Sequence, residues 1–150
     1  MARILVQEAP FDLAAETAAL SGLSDSVGAI ASFLGICRAD NGITAMTLEH
    51  YPGMTEKALA AIAAEAEKRW QLDGCTIIHR IGRLVPGEPI VLVLAASRHR
   101  AAALDACAFL IDWLKTKAPF WKLEEHADGQ ATWVDARDSD DTAAARWALG

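Results

Sequence analysis

The sequence of 150 residues lacks the features that mark several large classes of protein. It has only three cysteines, Cys37, Cys75 and Cys107, and no two form a Cys-x-x-Cys motif, so neither a zinc knuckle nor a disulfide framework is indicated. The longest apolar runs, such as residues 89–97, are far too short to cross a bilayer, and we expect no membrane partner. Residues 1–6 contain no long apolar segment typical of a secretory signal, so we expect a cytoplasmic protein.

Proline and glycine are also scarce, with 5 and 10 residues, whereas 53% of the chain is hydrophobic and 23% is charged. This composition is typical of an ordered globular protein and excludes a disordered or fibrous one. The chain shows no internal repeat and no linker-like stretch. We therefore expect a single domain over residues 1–150, which is long enough to bury a proper core.

An excess of positive charge is missing too, because the formal net charge is −6, which argues against a general nucleic-acid binder. Residues 98–122 are nevertheless locally basic, whereas acidic residues prevail after Lys122. A basic region on an acidic protein predicts a discrete anionic ligand. Its cationic side chains are Arg98, His99, Arg100, Lys115, Lys117 and Lys122.

The predicted elements alternate between strands and helices. Helices are expected over residues 12–20, 55–70 and 99–116, and strands over 3–7, 27–37, 43–51, 75–81, 89–96 and near 132–134, before a weak terminal helix. This mixed order with hairpin turns predicts an α+β fold with a largely antiparallel sheet and two long helices.

Local signals add detail to this prediction. Asp12 is a plausible helix N-cap, and Asn41-Gly42 predicts a hairpin between the second and third strands. Gly35 predicts a bend or a close backbone approach. The expected inner face of the last long helix consists of Leu104, Cys107, Ala108, Ile111 and Leu114.

Two lysines near the end of that helix are candidate catalytic residues. Taken alone, the sequence favours helix capping for Lys115 and a solvated surface charge for Lys122. The alternative is that Phe120 and Trp121 partly desolvate both ammonium groups. Desolvation would lower their pKa values and make them useful as acids, bases or nucleophiles.

Other candidates concern anion binding. His99 and Arg100 stand at a predicted helix N-terminus, where cationic side chains oppose the helix dipole unless an anion binds, so we expect phosphate there. Arg38 is equally well interpreted as an anion contact or as a solvated turn residue. Cys37 could be a nucleophile whose pKa Arg38 lowers, but a strand cysteine is more often a small core hydrophobe.

The remaining titratable residues have simpler interpretations. His50 and His79 lie within or beside strands and are taken as structural. Glu124 and Glu125 are solvated charges, or one of them positions Lys122. In a continuous helix His99 and Lys115 are sixteen residues and about 24 Å apart, so they serve two sites or meet across a homodimer interface.

Several motifs in this order resemble the large, catalytic subunit of molybdopterin synthase from about residue 27 to residue 147. The two most specific strings are Leu-Glu-His-Tyr-Pro-Gly-Met at 48–54 and Lys-x-x-Ala-Pro-Phe-Trp-Lys at 115–122. The others are Phe33-x-Gly35-x-x-Arg38-x-x-Asn41-x-Gly42, His79-Arg80-Ile81-Gly82, Pro86-Gly87 and Ser97-x-His99-Arg100.

This resemblance implies an α/β hammerhead-type domain that forms a homodimer through the large subunits. It also implies a partner, a small ubiquitin-like sulfur-carrier subunit whose C-terminal Gly-Gly ends in a thiocarboxylate. Two such sulfurs are transferred to cyclic pyranopterin monophosphate, which gives the dithiolene of molybdopterin. The sulfur arrives on the partner, so no cofactor, metal or protein cysteine is needed.

The resemblance also assigns roles to residues. The family's catalytic lysines correspond to Lys115 and Lys122. Substrate contacts are expected from Cys37, Arg38, His99, Arg100, Leu123, Glu124 and Arg137. A non-catalytic module that docks a ubiquitin-like tail or a phosphorylated ligand is the alternative, and a thiol hydrolase that uses Cys37 is a distant third.

Overall fold

The computed structural model describes residues 2–134 and 138–148, apart from the side chains of Asn41 and residues 138–141. Within these residues the chain forms four α-helices and eight strands. The helices are α1 (Leu13–Ser21), α2 (Met54–Trp70), α3 (Arg100–Lys117) and α4 (Asp138–Ala145). The strands are β1 (Ala2–Gln7), β2 (Ala29–Ile36), β3 (Ile43–His50), β4 (Gly74–Arg80), β5 (Gly82–Leu84), β6 (Pro89–Ser97), β7 (Phe120–His126) and β8 (Ala131–Val134).

The strands form two four-stranded sheets. The first has the order β1-β4-β6-β2 and the second the order β5-β3-β7-β8. Among the described strands only β1 and β4 pair in parallel, and every other neighbouring pair is antiparallel. The α+β class is therefore confirmed, with two sheets. None of the described helices has the length and apolar character needed to span a membrane.

The first sheet is covered on both faces. Side chains of β4 and β6 alternate, so that Ile77 and Val93 pack against α2 and α3, whereas Ile78 and Leu94 pack against α1. Such nearly continuous apolar strands are expected when helices cover both faces. Each fully buried aliphatic side chain contributes about 1.5–3 kcal/mol, so this sandwich is the stable base of the fold.

The structure confirms two helix predictions and corrects a third. Asp12 caps α1 by accepting a hydrogen bond from the Ala15 N–H, and the helix predicted over residues 55–70 is α2. Leu104 of α3, however, is 60% exposed. The buried face instead includes Ala103, and successive helical residues differ by about 100°, so Leu104 points away from the sheet.

The predicted hairpin at Asn41-Gly42 is wrong. Strand β2 pairs with β6 in the first sheet, whereas β3 pairs with β5 and β7 in the second. The chain leaves the first sheet at Cys37, whose N–H donates to the Glu88 carbonyl and whose carbonyl accepts from the Gly87 N–H. A 3-10 turn over Asp40–Gly42 then leads into the second sheet. Two of its strands, β5 and β7, were not predicted.

Close packing requires glycine at two positions, one within β2 and one directly before it. At Gly35, where the sequence predicts a bend or a close backbone approach, the register with β6 shifts, and an added Cβ would lie 2.7 Å from a side-chain atom, Val91 Cγ1. At Gly28 an added Cβ would lie 2.1 Å from the Arg98 carbonyl oxygen. Because that atom belongs to the backbone, it cannot rotate away.

We expect Gly28→Ala to lower the free energy of unfolding by about 1–3 kcal/mol, as overpacking does elsewhere. The control is Gly22→Ala, because Gly22 has an ordinary φ of −82° and an added Cβ would lie 3.5 Å from the Ala18 carbonyl oxygen. The control should change stability by less than about 0.5 kcal/mol. Urea titration of both variants tests this, and equal midpoints would contradict it.

Candidate active site

A cavity of about 280 Å³ lies where the two sheets meet the C-terminal end of α3. It contains four of the residues singled out from the sequence, Arg38, Lys115, Lys122 and Glu124. The other lining residues are Ile36, Asp40, Ile43, Met46, Ile90 and Val134. Cations thus stand around a partly apolar recess, an arrangement that suits an anionic ligand with an organic body.

Three elements place the cations in this recess. Arg38 follows the end of β2, and Lys115 lies in the last turn of α3. Strand β7 supplies Lys122 and Glu124, which lie opposite Leu48 and Met46 of β3. Side chains alternate along a strand, so these two β7 residues share one face and point the same way.

Arg38 and Lys122 each lie beside a carboxylate. The Lys122 Nζ lies 3.9 Å from Glu124 Oε2, and Arg38 Nη2 lies 3.1 Å from Asp40 Oδ2. Of the two glutamates considered from the sequence, Glu124 is therefore the one beside Lys122, whereas Glu125 pairs with Arg83. The Arg38 side chain is 65% exposed, so an incoming anion can replace its carboxylate partner at little cost.

The positions of Phe120 and Trp121 differ from the sequence-based alternative, in which both rings desolvate the lysines. Phe120 shares the inward face of β7 with Lys122, as their alternation requires. Trp121 lies on the opposite face and makes an edge contact with Tyr51 at 4.3 Å between ring centroids. Only one of the two expected aromatic rings therefore lies on the side of the cavity.

Cys37 lies in the core and does not line the cavity. It is 2% exposed and packs with Met46, Leu48 and Leu84. Burial, with a smaller contribution from Glu88, raises the pKa of its thiol, and the nearby Lys122 opposes this only in part. The pKa of Cys37 is thus raised, whereas Arg38 was expected to lower it. Of the two sequence-based interpretations of Cys37, the structure supports the small core hydrophobe.

Other predicted site residues lie elsewhere. Helix α3 is continuous, so His99 and Arg100 stand at its N-terminal end, away from Lys115 near its C-terminal end. Leu123 points to the opposite side of β7 from Lys122, where it pairs with Trp133. Arg137 lies outside the described residues. No cluster of three or more His, Cys, Asp or Glu that could bind a metal occurs in the described part of the chain.

Sequence reasoning missed the apolar wall of the cavity and the acidic partner of Arg38. The wall consists of Ile36, Ile43, Met46, Ile90 and Val134. The signal for Asp40 was present, since it follows Arg38 by two residues. The wall could not be assembled from the sequence, because its members come from both sheets and depend on how β2 and β3 separate.

The family model described as "MoaE protein" matches residues 6–117. The chain belongs to the MoaE family. A molybdopterin synthase catalytic subunit from Pseudomonas aeruginosa is 55% identical over 147 residues, covering 96% of this chain and 97% of that protein. The one from Mesorhizobium japonicum is 53% identical over 146 residues, covering 96% and 92%.

A solved MoaE structure has the same fold. The molybdopterin biosynthesis MoaE protein from Burkholderia ambifaria superposes with a TM-score of 0.87, is 51% identical and covers 100% of both chains. The family model ends at residue 117, before Lys122, whereas the full-length relatives extend past it. The resemblance recognised in the motifs is therefore confirmed over nearly the whole chain, and the chain is an enzyme of molybdenum cofactor biosynthesis.

We expect all three thiols of the MoaE chain to resist modification in the folded state. Cys37, Cys75 and Cys107 are buried, and burial raises the pKa of each, to about 12 for Cys75 and about 11 for Cys107. Reaction with a chromogenic disulfide reagent at pH 7.5 should be slow, since the thiolate is the reactive form. The same protein in guanidinium should release three equivalents. Rapid labelling of folded protein at Cys37 would contradict this account.

Proposed function

We propose that this chain is the catalytic subunit that moves sulfur from the C-terminal thiocarboxylate of a small ubiquitin-like carrier subunit to cyclic pyranopterin monophosphate. Two such transfers form the molybdopterin dithiolene, and each carrier tail is left as a carboxylate. The observation that carries this proposal is the cavity in which Arg38, Lys115 and Lys122 come together.

The two lysines suit the chemical step. A thiocarboxylate tail is extended and anionic, and its glycines let it thread a narrow channel between the sheets. When a water oxygen attacks the acyl carbon of the tail, negative charge develops on the acyl oxygen and then passes to the departing sulfur, which leaves the tail as a carboxylate. A fixed ammonium group stabilises that charge. A lysine can also donate or accept a proton during attack on the pterin side chain. We assign both roles to the pair Lys115 and Lys122, with Glu124 positioning Lys122.

The pterin phosphate needs cations of its own. We assign Arg38 to it from one subunit and His99 with Arg100 from the other subunit of a homodimer. The separation of about 24 Å along continuous α3 supports this division, because one small ligand cannot reach both helix ends in one chain. Arg137, which the resemblance assigns, remains part of the proposed substrate contacts. Cys37 packs beneath the cavity and Leu123 lies on the opposite face of β7 from Lys122, so we assign neither a direct contact inside the cavity.

We further propose that residues 1–150 act as one catalytic domain in the cytoplasm. The cavity draws on both sheets and on α3, so no part of the described chain forms it alone. The three free, buried cysteines suit a reducing compartment.

Reconstitution tests the function itself. The chain is incubated with a thiocarboxylated small subunit and cyclic pyranopterin monophosphate, and dithiolene formation is followed. We expect about two thiocarboxylates consumed for each dithiolene formed, which is the stoichiometry the two transfers require. A docking module would bind the carrier tail and form no dithiolene, and that result would overturn the proposal.

Variants separate phosphate binding from chemistry. Arg38→Ala should weaken pterin binding about ten- to a hundredfold, because a charge-assisted hydrogen bond contributes about 1.5–3 kcal/mol. Docking of the small subunit should be nearly unchanged. Arg83→Ala is the control, because Arg83 is an exposed arginine paired with Glu125 outside the cavity lining. Equal pterin affinity in Arg38→Ala and the control would contradict the assignment.

Lys115→Ala should instead lower the single-turnover rate of sulfur transfer at saturating pterin, with binding changed less, because its charge serves the transition state. Lys115→Arg keeps the charge but does not readily lose a proton. Recovery of the rate in Lys115→Arg indicates an electrostatic role, and no recovery indicates proton transfer or nucleophilic attack. Normal turnover of Lys115→Ala at saturating pterin would show that Lys115 only binds.

The shared site can be tested by mixing subunits. Inactive His99→Ala and inactive Lys115→Ala chains should recover activity when mixed, because each heterodimer contains one site with both groups intact. Random exchange should restore about a quarter of the native activity, since half of the dimers are mixed and each has one intact site. Mass spectrometry confirms that the subunits have exchanged. If activity then does not recover, the whole site lies within one chain.

A further inference from the structure

A stacked pair of rings joins the two sheets beside the cavity. The ring of His79 on β4 lies 3.8 Å from the ring of Phe120, the first residue of β7, with an interplanar angle of 16°. His79 belongs to the first sheet and Phe120 to the second. The ring of His50, opposite Phe120 on β3, lies 6.3 Å away on the same face of the second sheet.

Besides the stack, the His79 ring is held by a hydrogen bond and by burial. Its Nδ1 lies 2.7 Å from the Arg80 carbonyl oxygen, and the residue is 4% exposed. Burial is the main reason that the pKa of His79 is lowered to about 3; the charges of Lys115 and His50 add to the lowering, and the hydrogen bond to the Arg80 carbonyl opposes it. The ring is therefore neutral near pH 7, with the Nδ1 proton donated to the carbonyl, and it does not repel the neighbouring ammonium group of Lys115.

Phe120 lies in the short connection between the two catalytic lysines. Lys115 is five residues before it in the last turn of α3, and Lys122 is two residues after it on the same face of β7. Helix α3 ends at Lys117, and Ala118 and Pro119 lead directly into β7. A contact that holds Phe120 therefore acts together with the pairing of β7 with β3 and β8 in setting how far apart the two lysines lie and in which direction Lys122 points.

We propose that His79 is a positioning residue for sulfur transfer: by stacking on Phe120 it holds the connection between α3 and β7, and with it Lys115 and Lys122, across the junction of the two sheets. This inference rests on the proposed function of the two lysines. The His79 ring itself takes no proton and touches no substrate in this role.

The test uses variants of His79 in the complete complex with the thiocarboxylated small subunit. His79→Leu removes the stack, whereas His79→Phe keeps a flat ring without nitrogen atoms. We expect His79→Leu to lower the single-turnover rate at saturating pterin at least tenfold with KM changed less than threefold, since a displacement of about 1 Å can cost a hundredfold. His79→Phe should recover to within about threefold of the native rate.

The control is the adjacent Ile78, which is buried on the opposite face of β4 against α1. Ile78→Val or Ile78→Ala, whichever matches the Tm of His79→Leu, should keep the native rate. An equal loss of rate in the matched control, or a native rate in His79→Leu, would overturn the inference. A rate in His79→Phe as low as in His79→Leu would also overturn it, because the ring would not be what matters.

A second variant and a second readout cover other failures. If His79→Leu does not fold, Phe120→Leu removes the same stack from the other side and should show the same loss of rate. Lysines carrying ¹³C-methyl groups from reductive methylation report position without activity. The ¹³C-methyl NMR signals of Lys115 and Lys122 should shift in His79→Leu, or in Phe120→Leu where that variant is used, and stay unchanged in the Ile78 control. If the native complex forms no dithiolene but the lysine signals shift in the variant, the proposed function is refuted and His79 still positions the two lysines. If the lysine signals do not shift, the positioning role is refuted.

Discussion

The site depends on the pairing of Cys37 with the turn at Gly87 and Glu88. The Cys37 N–H donates to the Glu88 carbonyl oxygen at 2.9 Å, and the Gly87 N–H donates to the Cys37 carbonyl oxygen at 2.8 Å. These bonds satisfy the backbone of Cys37, the residue directly after β2, and the chain can then cross to the second sheet. The crossing opens the cavity and delivers Arg38 to its rim. Cys37 thus matters through its backbone and its packing.

The charge of the cavity follows from the same arrangement. The protein has a net charge of −6, yet three cations from β2, α3 and β7 converge on one recess of about 280 Å³. Asp40 lies beside Arg38 and Glu124 beside Lys122, which reduces the repulsion between like charges in the site. An anionic tail or a phosphate can exchange with these carboxylates. The apolar wall offers the organic body of such a ligand a surface to pack against.

Much of the fold could be predicted from local patterns, because local forces decide it. Helix α2 follows from its apolar spacing, and the cap at Asp12 follows from the chemistry of an N-terminal helix residue. The hairpin at Asn41-Gly42 failed because β2 finds a better partner in β6, a contact about sixty residues away in the chain. The prediction for Leu104 failed because the buried face of α3 begins with two small alanines, Ala103 and Ala106, which give a weak periodic signal.

The site was predictable in chemistry and not in geometry. Lysines 115 and 122 and Arg38 could be named from motifs, and the structure places all three at one cavity. The side of β7 on which Lys122 and Leu123 each lie depends on pairing with β3, a strand absent from their local sequence. His79 was interpreted as a structural residue. Its stack on Phe120 becomes visible only when the two sheets are brought together.

The most direct test of the account is a crystal structure of the chain in complex with the thiocarboxylated small subunit. The central claim is that the carrier tail enters the cavity between the sheets and ends between Lys115 and Lys122. The account predicts the terminal glycine within hydrogen-bonding distance of both ammonium groups. A tail that ends elsewhere, for example at His99 and Arg100 of the same subunit, would contradict it.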